Sequence, residues 1–136
     1  MSILLDTHVW IWLVKGDVTV KPSIRKIIEN AYEEGNLAIS TISVWEIAML
    51  VSKKKLILSL PTLDWIHRAV RVTRSELIGL SAEVAVESCQ LPNEFVGDPA
   101  DRIIVATARL NHRMLLTRDR NILNYGKHNY VVTMKV

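Results

Sequence analysis

The chain has 136 residues, with 17 Lys and Arg against 14 Asp and Glu, which is enough for one domain around one core and excludes a multidomain protein. Hydrophobic residues at 49% and charged residues at 23% exclude a disordered or fibrous chain, and a single cysteine, Cys89, excludes an intramolecular disulfide. The longest charge-free stretch, Gly35–Trp45, falls short of the roughly 20 apolar residues a bilayer span needs, and MSILLDTHVW lacks a signal peptide's basic start and cleavage site, so a soluble cytoplasmic protein is expected.

In chain order, Ser2–Leu5 reads as a buried strand and Thr7–Lys15 as a short apolar helix followed by Gly16. Pro22–Glu34 is an amphipathic helix that begins at Pro22 and is capped by Gly35. Leu37–Ser40 is the second strand and Ser43–Lys53 the third helix. Pro61–Val72 carries Leu63, Ile66, Ala69 and Val70 on one face and turns His67, Arg68, Arg71 and Arg74 towards the other. Leu77–Leu80 is a third strand, Ala82–Gln90 and Pro99–His112 are helices, and Met114–Thr117 and Tyr130–Thr133 are the last two strands. Strands alternating with helices predict a parallel sheet covered on both faces, and the continuous apolar runs suit strands buried on both sides. Charge is segregated along this course: residues 53–74 hold 6 basic groups and 1 acid, and residues 75–97 hold no basic group and 4 acids. Faces of opposite sign follow, and a basic face attracts polyanions.

Parallel sheets bind ligands at the C-terminal ends of their strands, near the reversal of strand order. Acids cluster there. Asp6 follows the first strand, Glu46 lies in the first turn after the second, Asp98 and Asp101 open the helix before the fourth, and Asp119 follows the fourth in LLTRD. Taken singly, each acid has a local use. Asp6 can cap the helix from Thr7, Ser43 and Glu46 fit a capping box, Asp98 and Pro99 fit an N-cap and first helical position, and Asp119 can shape a turn. Taken together they point elsewhere. Asp6 follows three apolar residues and Glu46 lies between Trp45 and Ile47, so both are expected to be partly buried, where a carboxylate is costly unless paired, protonated or bound to a cation. An all-oxygen set suits Mg²⁺ or Mn²⁺.

Other chemistries fit poorly. The five glycines are scattered, so neither a phosphate loop nor a dinucleotide fingerprint exists. A lone cysteine and four dispersed histidines make no zinc site, and Ser43 lacks the context of a nucleophile elbow. Cys89 is expected to pack as a small apolar residue, and Trp10, Trp12, Trp45 and Trp65 to serve core or contact surfaces. A phosphotransfer receiver is disfavoured because its third strand should end in an acid and Leu77–Leu80 does not.

The ordered set LLDTH, SVWEIA, DPADRIIVATA and LLTRD resembles the PIN domain, and more narrowly the VapC-type toxins of bacterial and archaeal toxin–antitoxin pairs. The resemblance runs along nearly the whole chain. It implies one PIN domain over residues 1–136, an α/β protein built as a three-layer α/β/α sandwich on a five-stranded parallel sheet of order 3-2-1-4-5. It implies an acidic quartet of Asp6, Glu46, Asp101 and Asp119, supported by Asp98, Thr117 and Ser43. Ala100 stands where the family carries a bulky residue, which would widen the mouth of the site. The implied activity is Mg²⁺- or Mn²⁺-dependent endoribonuclease cleavage, in which bound metal polarises the phosphodiester and acidifies an attacking water. RNA would be held by Arg102, Arg118, Arg120, Lys53, Lys54, Lys55, Arg68, Arg71, Arg74, Arg109 and Arg113, with local ion pairing an equal alternative for Arg102 and Arg118. The implied partners are a VapB-like antitoxin and a second copy of the chain, with Val9–Val14 and the helix at Trp65 as candidate contact surfaces. A non-catalytic PIN-like module that binds RNA or protein is the competing expectation.

Overall fold

A computed structural model describes residues 1–16 and 20–136. The elements are β1 (Ile3–Leu5), α1 (Thr7–Lys15), α2 (Pro22–Glu33), β2 (Leu37–Ser40), α3 (Thr41–Ser52), α4 (Thr62–Thr73), β3 (Glu76–Ile78), α5 (Ala82–Cys89), α6 (Pro99–Leu110), β4 (Met114–Thr117), α7 (Arg120–Lys127) and β5 (Thr133–Lys135). All four strand pairings are parallel and the order is β3-β2-β1-β4-β5, as expected. Leu5 pairs with Ile39 on one side and Leu116 on the other, so the ends of β1, β2 and β4 lie level at one edge.

The pleat divides the core in two. Ile3, Leu5, Leu37, Ile39, Met114 and Leu116 face a cluster completed by α1, α2, α3 and α4, while Leu4, Ala38 and Leu115 face one completed by Ile104, Val105, Ile122 and Tyr125. Trp10 and Trp65 meet edge to face at 5.9 Å inside the first cluster, so both rings pack as core. Leu63, expected on the apolar face of its helix, is exposed.

Only the three central strands are buried on both sides. β3 and β5 are edges with one neighbour each, and β3 starts one residue earlier and stops two earlier than its apolar run suggests. The last strand is displaced to Thr133–Lys135, because Tyr130 and Val131 fill the second core from a loop. α7 was not expected; it buries only Ile122 and Tyr125. Cys89 is exposed rather than packed. Among the described residues no helix is long and apolar enough to cross a membrane.

Candidate active site

β1 delivers Asp6 to the sheet edge, where its N–H donates to the Leu116 carbonyl at 3.0 Å. The carboxylate is 8% exposed and fully engaged. Oδ1 accepts from the Thr7 N–H at 2.8 Å, capping α1, and Oδ2 accepts from the Thr117 hydroxyl at 2.6 Å. Thr117 Oγ1 in turn accepts from the Asp119 N–H at 2.9 Å, so one buried hydroxyl fixes the acids of two neighbouring strands. Asp119 Oδ1 accepts from the Ile122 N–H at 2.9 Å and caps α7. The local use expected for Asp119 was a turn, and the structure makes it a helix cap.

The second strand is organised differently from the expected capping box. Ser40, not Ser43, caps α3 by accepting from the Ile42 N–H at 3.2 Å. Ser43 and Glu46 lie inside the helix and turn inward to Thr7. The Thr7 hydroxyl donates to Glu46 Oε1 at 2.6 Å and stands 2.7 Å from Ser43 Oγ. A hydroxyl has one proton, so Ser43 supplies the hydrogen of the second bond and a relay runs from Ser43 through Thr7 to Glu46. Thr7 therefore serves two acids, Asp6 through its backbone and Glu46 through its side chain. Its position directly after Asp6 was the signal; its reach to another helix was not visible in the sequence.

α6 presents the remaining pair. Asp98 caps it as expected, accepting from the Asp101 N–H at 2.9 Å with Pro99 at the first helical position. Asp101 caps nothing, and its carboxylate accepts no hydrogen bond from the described residues. Ala100 is buried beneath this turn and does not line the mouth.

The five acids line one cavity of about 450 Å³ together with Thr7, His8, Val9, Trp12 and Arg118. Their ionisation reflects the crowding. Burial pushes the Asp101 carboxyl up to about 7, with Asp98, Asp119, Asp6 and Glu46 adding repulsion. Burial raises Asp6 against the hydrogen bonds from Thr117 and Thr7, and raises Glu46 against the bond from Thr7. Among the described residues no three acids already close on a common point as a metal-ligand cluster. Mutual repulsion opposes such closure, and a divalent cation removes the repulsion. The donor set fits one: hard carboxylate oxygens in a shared cavity, one of them on an acid with no structural partner.

Most of the basic residues are not at this site. Arg118 is the one Lys or Arg among the described residues that line the acidic cavity; its Nε donates to the Val136 main-chain oxygen at 2.7 Å and its Cζ stands 4.3 Å from the Trp12 ring centroid. Arg102 donates Nε to the Gly97 carbonyl at 3.3 Å. Arg120, Lys53, Lys54, Lys55 and Arg71 are exposed and do not line the cavity, and Arg68 lines a separate groove with Lys15 and Trp65. Arg74, Arg109 and Arg113 lie at the opposite edge of the sheet in structural contacts. His8 and Trp12, which the sequence reading left among surface and core residues, line the site.

Residues 3–128 match the family model of the PIN domain. The chain is 34% identical over 133 residues to Ribonuclease VapC22 of Mycobacterium tuberculosis, covering 98% of both proteins. Its backbone resembles a chain of VapBC2 from Rickettsia felis bound to a promoter DNA fragment, with a TM-score of 0.72, 18% identity and coverage of 100% of this chain and 99% of that one. It also resembles a chain of DNA-bound VapBC from Salmonella typhimurium, with a TM-score of 0.70, 17% identity and coverage of 99% and 98%.

Proposed function

Since the chain belongs to the PIN domain family, we propose that it is a metal-dependent endoribonuclease and the toxin of a toxin–antitoxin pair. The family assignment and the kinship with a VapC ribonuclease support the class of reaction. The observation that carries the chemistry is Asp101. Helix capping accounts for Asp6, Asp98 and Asp119, but Glu46 and Asp101 cap no helix, and Asp101 carries a cost that the fold does not require. Such a group is expected at a site that works on a charged ligand.

Asp6, Asp101 and Asp119, with Glu46, would hold Mg²⁺ or Mn²⁺. When bound, the ion supplies polarisation of the phosphodiester and a lowered pKa for water. The chain's own residues set the frame. Thr117 orients Asp6 and positions the backbone of Asp119, while the Ser43–Thr7 relay aims Glu46 across from α3. Hydrolysis in line with the phosphate leaves a 5′-phosphate and a 3′-hydroxyl and needs no nucleophilic side chain. Residues 1–136 would act as one PIN domain in the cytoplasm, with RNA as the substrate. A VapB-like antitoxin and a second copy of the chain are its partners. Asp98 caps α6 and adds charge at the cavity mouth.

The capping of three acids favours one rival, a module that binds RNA without cutting it. The purified chain given mixed RNA and Mn²⁺ separates the two. Cleavage by the wild type, lost in Asp101→Asn with the circular dichroism spectrum retained, is expected. RNA binding without any new ends would leave the rival standing.

A further inference from the structure

Five acids around a phosphate-cutting site leave RNA with little to hold, so what else lines the cavity decides how substrate is gripped. His8 and Trp12 are four residues apart on α1 and share a face. Their rings lie 6.1 Å apart at 28°, a stacked pair, and the Arg118 guanidinium covers the indole at 4.3 Å. All three side chains line the acidic cavity. The group is built, not loose. Trp12 packs against the first core, Arg118 is anchored on the Val136 main-chain oxygen, and α1 is capped by Asp6 itself, so the stack is fixed relative to the acids. His8 and Arg118 are exposed and Trp12 is partly covered, so the His8 ring is open to a ligand.

We propose that His8, Trp12 and Arg118 form a nucleotide clamp: an unpaired base beside the scissile phosphate stacks on the exposed face of His8, and Arg118 holds a neighbouring phosphate. The physics suits single-stranded RNA. Every base has a π-face that an imidazole or indole can stack on, and a guanidinium carries permanent charge to a rim that is otherwise acidic. This inference rests on the ribonuclease reading for its substrate and adds to it a requirement for an unpaired base at a defined place. His8 and Trp12 act as positioning residues.

Two assays test it on the purified chain. In the first, a mixed-sequence pool of short single-stranded RNAs is titrated without cleavage, in Ca²⁺. His8→Ala is expected to weaken binding about tenfold, the scale of one base–aromatic stack. His8→Phe, which keeps a flat ring and cannot ionise, restores it. Trp12→Leu behaves like His8→Ala, and because His8 is exposed the histidine variants stay informative if Trp12→Leu misfolds. RNA of the same length made abasic keeps its phosphates, so wild type and His8→Ala should bind it equally. In the second assay, cleavage in Mn²⁺, His8→Ala is expected to raise KM about tenfold and leave kcat within about twofold.

The clamp is overturned if His8→Ala binds and cleaves as wild type does, if His8→Phe fails to rescue, or if His8→Ala loses as much affinity for abasic RNA as for intact RNA. Cleavage with no histidine effect overturns the clamp alone. Histidine-dependent binding with no cleavage overturns the ribonuclease reading alone, and no binding by the wild type overturns both.

Discussion

Asp101 ties the chemistry of the site to the stability of the fold. Its carboxyl sits at about 7 in the folded chain against an ordinary 3.8, so folding favours the protonated form. The stabilising contribution of that form is complete below about 4 and is lost as the pH rises through about 7. In chelator, Asp101→Asn should therefore melt higher than wild type at pH values above 7, by something on the order of 2 kcal/mol after solvent screening. The advantage should shrink as the pH falls towards 4, and excess Mn²⁺ should reverse it by favouring the wild type. A gap that stays constant with pH in thermal scans would show that ionisation of the buried Asp101 carboxyl is not its source. Thr7 offers a second test, since one hydroxyl joins Ser43 to Glu46. Thr7→Val keeps the shape and the backbone cap on Asp6. Groups that orient metal ligands typically cost 10–100-fold when lost, so kcat/KM in limiting Mn²⁺ should fall by about that range. Thr7→Ser should recover most of it.

At the scale of elements, three of the five acids, Asp6, Asp98 and Asp119, are also helix caps, and the two roles can be taken apart at α7. Asp119 both caps the helix and faces the cavity. Asparagine caps as well as aspartate, whereas alanine does not. Asp119→Asn should keep stability within about 0.5 kcal/mol and lose cleavage, while Asp119→Ala should lose cleavage and about 1 kcal/mol besides. Equal urea midpoints for the two variants would mean that the cap contributes nothing. α7 also marks what the sequence reveals and what it hides. β1, β2 and β4 are continuous apolar runs because they are buried on both faces, and acids follow β1 and β4 within two residues, so the central sheet and the edge carrying Asp6 and Asp119 were legible. α7 buries two side chains and carries Asn and Gly, so its period is too faint to read as a helix. Tyr130 and Val131 imitate a strand because a core-filling loop has the same composition. Ser43 imitates an N-cap because its real partner, Thr7, lies 36 positions away, and local spacing carries no record of such a contact.

Across the whole molecule the sheet separates two kinds of charge. The edge where the strands end gathers five acids and Arg118. The edge where they begin gathers arginines that the sequence had offered to RNA and the structure uses otherwise. Arg113 donates to the main-chain oxygens of Ile3 at 3.4 Å and Asn36 at 3.0 Å, and pairs with Glu76 at 2.9 Å, fastening the starts of β1, β2 and β3. Arg109 donates to the Tyr130 carbonyl and Arg74 covers the Tyr32 ring at 4.8 Å. A net charge of +3 thus overstates the cations available at this end of the molecule to hold a substrate. Arg113→Ala removes three contacts, two of them charge-assisted bonds to main-chain oxygens, so stability should drop by about 1–3 kcal/mol. The dependence of RNA affinity on salt should not change, because no phosphate contact is lost. At the other edge Arg118→Gln should weaken RNA binding and flatten its salt dependence by about one charge. Binding isotherms at several salt concentrations distinguish the two arginines. A flatter slope for Arg113→Ala would place RNA on the edge of the sheet opposite the acids, too far round the molecule for the grip and the cut to belong to one site.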